Sequence, residues 1–308
     1  MTGVPSTADL ERIRVTGGVL SLNKPRGDTS FAAVRDVRRI LNERRVGHAG
    51  TLDPMAQGLL PICVGRTTRL VDFFHQQSKT YRCVVRLGER SDTQDTEGTV
   101  TAGSDASTVS PGAVEAALAE FVGEIEQIPP MHSAVHHEGQ RLYEIARRGE
   151  EVERKPRRVR IHDAQILEVR PGRVTEATIE VTSGTGAYMR VLAADLGERL
   201  GVGGLLGWLE RTRYGVLDVV GSVTLDELRA AADPWTLLRP ADVAVEFLPR
   251  VDLGPPLATQ VRRGQGVFLP RSDSRPQGSS RAHTADGELF AIGEVAGTHF
   301  RPTKVLTS

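Results

Sequence analysis

The sequence predicts an α+β fold that ends in a small β barrel, and three features of its patterning say so. Apolar runs of strand character are interleaved with capped, helix-period segments through the first 248 residues. Beyond Leu248 the character changes to short strands separated by Gly, Ser, Pro and Asp, the pattern of a barrel. The chain of 308 residues is also long enough for two domains. These features divide it into an N-terminal arm over 1–17, a main domain over 18–249 and a barrel over 250–308.

The arm, "MTGVPSTADLERIRVTGG", is polar and reads as loose, without the apolar stretch of a signal peptide. "GGVLSLNKPRG" reads as a short strand ending at a Lys-Pro turn. "DTSFAAVRDVRRILNERR" reads as a helix with Thr29 or Ser30 as its N-cap. Its apolar face carries Phe31, Val34, Val37 and Leu41, and basic residues crowd its last turn. "LLPICVG" and "TYRCVVRLGE" read as strands, with Pro61 placing the first near an edge or a bend. Ser110 as N-cap and Pro111 at the first helical position open the next helix. "TIEVTSGTGAYMRVLAADLGERLG" runs strand, glycine turn, helix, with Gly201 ending the helix. "TLDE" at 224–227 is a capping box. In the tail, "GVFLP", "LFAIGEV" and "TKVLT" supply the barrel strands.

Composition narrows the function classes. The chain is 39% hydrophobic and 25% charged, as suits a folded globular protein. No apolar run approaches the ~20 residues of a membrane span. Two cysteines, Cys63 and Cys83, both in strand-like runs, fit buried thiols in a reducing compartment, and the cytoplasm is the expected location. Net charge is zero, yet residues 139–160 hold eight Lys/Arg against four Glu, and the tail from Arg250 holds eight basic against five acidic residues. Such patches suit solvated surface or a polyanionic partner.

Familiar phosphate and acid motifs fail. "GRTTRL" lacks the spacing and Lys of a P-loop, and "GVGGLLG" follows a helix rather than a strand. Aspartyl-phosphate chemistry wants a second Asp two residues after Asp53, where Met55 stands, and the Asp-Thr/Ser-Gly of an aspartic protease is absent. His132, His136 and His137 have no obvious supporting ligand, so no metal site is expected. That leaves "GHAGTLDPMAQGLL", where Asp53 stands alone among Gly and Pro with His48 five residues before it. By itself this is a turn as readily as a site.

Taken in order, "LNKPRG", "GHAGTLDPMAQGLLPICVGRTTR", "KTYRCVVRLG", "PPMHSAV", "GTGAYMR" and "LERTRYG" resemble the TruB family of tRNA pseudouridine synthases. The resemblance runs from about Gly18 through the main domain, and the tail is similar to the RNA-binding PUA barrel of that family. It implies a mixed, mostly antiparallel sheet with packed helices, the pseudouridine synthase fold, followed by the PUA-like barrel. The implied activity is isomerisation of the T-loop uridine at tRNA position 55. No metal or organic cofactor is implied, the partner is the tRNA T-arm, and the protein is expected to be a monomer.

The resemblance also assigns residues. Asp53 matches the catalytic carboxylate, a nucleophile toward the sugar or the base as the glycosidic bond breaks. A glycosidase would need two carboxylates across that bond, so a lone acid suits an isomerase. Arg190 matches a guanidinium that keeps the carboxylate charged and oriented; read alone it is a helix-start Arg facing solvent. Tyr81 matches the active-site tyrosine that packs on the base and can shuttle a proton, although a strand aromatic also suits a core. Tyr188 and Leu209 match residues lining the base pocket, with plain packing as the competing role. The target base must be flipped out of its stack, and His48 matches the flat side chain that braces the vacated space. Lys24, with Pro25, supports the site indirectly, and Arg69 with the basic stretch 139–160 would hold phosphates. Two positions depart from the family pattern, which usually has Tyr at His132 and Lys at His136. A catalytically silent RNA-binding module on the same scaffold is the alternative class, opposed by the set Asp53, Tyr81 and Arg190.

Overall fold

The computed structural model describes residues 5–131, 136–137, 139–141, 145, 148–150, 152–270 and 276–307, with 136, 137 and 141 described by their backbone. The chain forms two compact units. Unit one takes residues 1–53, 58–75 and 215–308, and unit two takes 54–57 and 76–214.

Unit one begins with a helix where the sequence suggested a loose arm. Helix α1 (Thr7–Thr16) is opened by a capping box in which the Ser6 hydroxyl accepts from the Asp9 N–H and the Asp9 carboxylate accepts in return from the Ser6 backbone. Ile13 is buried, Arg14 pairs with Asp233, and Arg12 donates to the Asp286 carbonyl. The polar composition is therefore the outward face of a docked helix. Strand β1 (Val19–Lys24), helix α2 (Ser30–Leu41), strand β2 (Val46–His48) and strand β3 (Ala56–Val64) follow. Thr29 is the N-cap of α2, its hydroxyl accepting from the Ala32 N–H. The buried face of α2 is Ser30, Ala33, Val34, Val37 and Leu41, whereas Phe31 is 69% exposed. Ser30 takes the inward place that the apolar pattern gave to Phe31, because its hydroxyl has buried backbone partners.

Strand β3 runs antiparallel to β1, from Val19 opposite Cys63 to Lys24 opposite Gly58, and antiparallel to β2, from Val46 opposite Val64 to His48 opposite Ile62. Pro61 thus lies inside a strand with neighbours on both sides rather than at an edge. It is tolerated because only its carbonyl is called on there, accepting from Ala49 N–H at 2.9 Å.

Unit two holds β4 (Lys79–Leu87), the hairpin β5 (Glu89–Ser91) and β6 (Val100–Ala102), α3 (Pro111–Ala119) and β7 (Gly123–Gln127). The short pair β8 (His136–His137) and β9 (Gln140–Arg141) precedes β10 (Arg157–Arg170), β11 (Thr175–Ser183), α4 (Met189–Arg199) and β12 (Gly204–Tyr214). The long strands lie in the order β12, β4, β11, β10, β7, each antiparallel to its neighbour. Along β4 and β11 every second residue is buried, so the sheet has one covered face. The glycines of "GVGGLLG" serve packing. A Cβ on Gly197 of α4 would stand 2.1 Å from the Gly204 nitrogen, so helix and strand approach backbone to backbone. Gly201, at φ +75°, follows the last turn of α4 as its position requires.

The chain returns to unit one with β13 (Leu217–Asp218) and α5 (Leu225–Ala230), the latter opened by the Thr224–Glu227 capping box. Then come β14 (Arg250–Leu253), α6 (Pro255–Arg262), β15 (Val267–Phe268), β16 (Gly278–Thr284), β17 (Leu289–Ala296) and β18 (His299–Val305). They form a five-stranded sheet in the order β14, β16, β17, β18, β15, parallel only at the first pair. Val251, Leu253, Val261, Val267, Phe290 and Phe300 belong to a core of its own. Clasps tie this sheet to the rest of unit one. Lys304 donates to Asp72 and to the Arg69 carbonyl, both at 2.8 Å, and His283 meets Asp242 at 2.6 Å.

Candidate active site

Asp53 is half-buried in the irregular stretch between β2 and β3, where the chain passes from unit one to unit two. Its neighbour Leu52 is fastened twice. The Leu52 N–H donates to Ser30 Oγ and Ser30 Oγ donates to the Leu52 carbonyl, each at 2.9 Å. Ser30 is the first residue of α2 and is 3% exposed, so the clasp is dry. Leu52 and Met55 are both buried, which fixes the chain on either side of the carboxylate. A loop held this way presents its acid with little freedom to wander.

Lys24 is fully buried and donates to the carbonyls of Pro25 at 2.9 Å and Asp28 at 2.7 Å. It ties the turn that leads into α2, and so acts on the Ser30–Leu52 clasp from behind. His48 is half-buried on β2, five residues ahead of Asp53. Arg69 is exposed, and its guanidinium donates to the Val305 carbonyl of β18. That contact gives Arg69 a structural task the sequence did not suggest.

In unit two, Tyr81 is 8% exposed on β4, with Arg211 opposite it on β12 and Val181 on β11. Leu209 faces Cys83, one pair further along the same side. Lys79, two residues before Tyr81, lies across from Tyr214, and both Lys79 and Arg211 stand over the Tyr214 ring, at 4.6 and 5.0 Å. Tyr188 and Arg190 open α4. The Tyr188 backbone is held by the buried Gln127 side chain, which accepts from its N–H at 2.9 Å and donates to its carbonyl at 3.2 Å. Arg190, rather than facing solvent, is 4% exposed and pairs with Asp95 at 3.5 Å while donating to the Thr93 carbonyl at 3.3 Å.

The predicted residues therefore form two groups: Lys24, His48, Asp53 and Arg69 in unit one, and Tyr81, Tyr188, Arg190 and Leu209 in unit two. Sequence reasoning missed Ser30, Asp95 and Gln127. Asp95, in "SDTQDTEG", reads as loop polarity, yet it is 3% exposed and accepts from Thr93 Oγ1 at 2.6 Å and the Glu97 N–H at 3.0 Å. An acid with that many donors is held firmly in place beside Arg190. The basic stretch 139–160 is partly balanced, since β10 sets Arg158 and Arg160 opposite Glu126 and Glu124 of β7. His132 lies outside the described residues, as does the side chain of His136. Among the described residues there is no group of three or more potential metal ligands, and no helix is long and apolar enough to cross a membrane.

A family model described as TruB family pseudouridylate synthase (N terminal domain) matches residues 38–189. The chain is 49% identical to the tRNA pseudouridine synthase B of Symbiobacterium thermophilum over 80% of its own length and 82% of the relative's. With the tRNA pseudouridine synthase B of Synechococcus elongatus the identity is 41%, over 94% and 98%. Among solved structures, a chain of the crystal structure of a Cbf5-Nop10-Gar1 complex superimposes with a TM-score of 0.73 at 25% identity, covering 97% of this chain and 87% of that one. A structure of an H/ACA RNP bound to a substrate RNA containing 2'-deoxyuridine gives 0.74 at 23% identity, over the same shares, a likeness of fold.

Proposed function

The chain belongs to the TruB family of pseudouridylate synthases, and from that premise we propose that it isomerises a uridine of tRNA to pseudouridine, at position 55 in the T-loop. The observation that carries this is 41% identity over 94% of the chain with one relative named tRNA pseudouridine synthase B, and 49% over 80% of it with another. In the reaction the bond from uracil N1 to C1′ breaks, the base turns, and C5 bonds to the same carbon. The proton on C5 is lost and N1 ends protonated, so atoms balance without water or a cofactor.

Asp53 supplies the carboxylate nucleophile, and the Ser30–Leu52 clasp is what supports giving that task to a loop residue. Arg190 is the cation that serves the carboxylate, itself oriented by Asp95. Tyr81 offers its ring to the flipped base, Tyr188 and Leu209 wall the pocket, and His48 braces the space the base has left. The five-stranded C-terminal sheet acts as a PUA-like module that binds the tRNA. A monomer in the cytoplasm suffices for this. The test is incubation with an unmodified tRNA transcript, followed by mapping of pseudouridine by mass or chemical labelling. A new pseudouridine at the T-loop position is the expected result, and modification elsewhere or nowhere would contradict it.

A further inference from the structure

Unit two carries a second cluster that these roles leave unused. Lys79 is 7% exposed and Arg211 is 1% exposed, and the two cations share the fully buried Tyr214 ring. The Lys79 ammonium donates to Thr185 Oγ1 at a long 3.4 Å. Ser183 pairs with Lys79 across β4 and β11, is 0% exposed, and its hydroxyl has no hydrogen-bond partner among the described residues. A buried polar group left this way costs free energy unless something comes to it. Lys79, Ser183 and Thr185 each bring a donor to this cluster.

The cluster reaches the surface at Thr185. Thr185 is exposed, between Gly184 and Gly186, which put no side chain in the way. Arg160 and His162 flank the turn, with His162 Nε2 3.6 Å from where a Cβ on Gly184 would stand. Donors inside, with Arg160 (opposite Glu124 of β7) and His162 at the rim, describe a receptor for an oxyanion.

We propose that Lys79, with Ser183 and Thr185, binds a backbone phosphate of the substrate RNA beside the target uridine. The proposal rests on the tRNA reading above, which supplies the polyanion. Lys79 shares its sheet face with Tyr81, two residues along β4, so a phosphate held there registers the strand against the base pocket wall. Burial, and then the Arg211 charge, lower the free Lys79 ammonium to a pKa of about 8. Among the described residues, the titratable groups facing Lys79 within its unit include Arg211 and Tyr214 from β12 and Tyr81 from its own strand. Strand β11 and the following turn contribute hydroxyls, with Arg160 and His162 at the rim.

A bound phosphate favours the protonated amine and raises its pKa, so the added affinity is present below about pH 8 and fades as pH rises through the bound-state value. Wild type should therefore lose affinity for a tRNA transcript between pH 7.5 and 9, by several-fold to about tenfold. Lys79→Arg should bind with a flat profile over that range, since guanidinium stays charged. Lys79→Met should bind about tenfold more weakly at pH 7, with its salt dependence shallower by roughly 0.7 to 0.9 in log–log slope, the share of one phosphate. It should also unfold at a temperature no lower than wild type, because the burial that depresses Lys79 opposes its charge in the free protein. Binding curves for Lys79→Met that match wild type in affinity and salt slope would overturn the proposal. So would weaker binding that tracks a lowered melting temperature, which marks a structural role. A wild-type protein that fails to bind the transcript at all would remove the tRNA reading itself, and the proposal with it.

Discussion

Arg190 and Asp95 show how a single residue's surroundings decide its chemistry. Both are almost wholly buried, so their pairing at 3.5 Å operates where water screens little. Removing one charge from such a pair leaves the other stranded, at a cost of about 3 kcal/mol. Asp95→Asn keeps the shape and an oxygen to accept from Thr93 and Glu97, so the loss is chiefly of charge. The variant should unfold in urea with a stability lower by about that amount, and should turn over more slowly with little change in tRNA affinity. An unaltered denaturation midpoint together with normal turnover would remove Asp95 from the account. The two thiols behave oppositely to the ion pair. Burial pushes both Cys63 and Cys83 up to about 12, so they are packing groups with no thiolate at working pH.

At the scale of elements, the stretch from β1 to β3 is a device for holding one loop. Lys24 ties the turn, the turn starts α2, and Ser30 at the head of α2 grips Leu52 beside Asp53. Ser30→Ala strands the Leu52 N–H and carbonyl in a dry site, at a cost of about 1–3 kcal/mol. If Asp53 has the proposed role, turnover should fall several-fold while KM moves little, because the clasp is buried and fixes the loop that carries the acid; unchanged turnover in a folded variant would count against it. Elements with strong local signals were legible in the sequence. The Thr29 cap, the Ser110–Pro111 start, the Thr224–Glu227 box and the glycine after α4 all depend on neighbours a few residues away. What escaped depends on partners far along the chain. The amphipathic reading of α2 chose Phe31 for the core, since nothing local says that Ser30 has Leu52 to hold. Helix α1 hid in a polar arm because its docking partners, Asp233 and Asp286, are more than two hundred residues on. Strand β16, "GSSRAHT", looks like a loop until β14 and β17 pair with it. Asp95 was invisible for the same reason.

For the whole molecule, a net charge of zero conceals local cations, and many of those have internal partners rather than RNA. Arg66 and Arg69 donate to carbonyls at the end of the C-terminal sheet, and Lys304 pairs with Asp72, whose carboxyl that lysine holds below the usual range. Ending the chain at residue 249 therefore removes more than an RNA-binding module, since it also leaves Asp72 and Asp242 without Lys304 and His283. The truncated protein should melt at a lower temperature, bind tRNA more weakly, and show a shallower salt dependence. Its single-turnover rate at saturating RNA should stay near that of the full chain, because Asp53, Tyr81 and Arg190 all remain. A folded truncated protein with normal affinity and no activity would contradict this division of labour.

The claim on which all of this rests is that the lone carboxylate of Asp53 does the chemistry. Asp53→Asn preserves size and the Ser30–Leu52 clasp while removing the nucleophile. Single-turnover conversion of an unmodified tRNA transcript, with binding measured on the same samples, tests it most directly. The account predicts no pseudouridine above background and a tRNA affinity close to wild type. Conversion of the T-loop uridine at a tenth of the wild-type rate or faster would mean that another group attacks, and that Asp53 is only the turn residue its Gly- and Pro-rich surroundings first suggest.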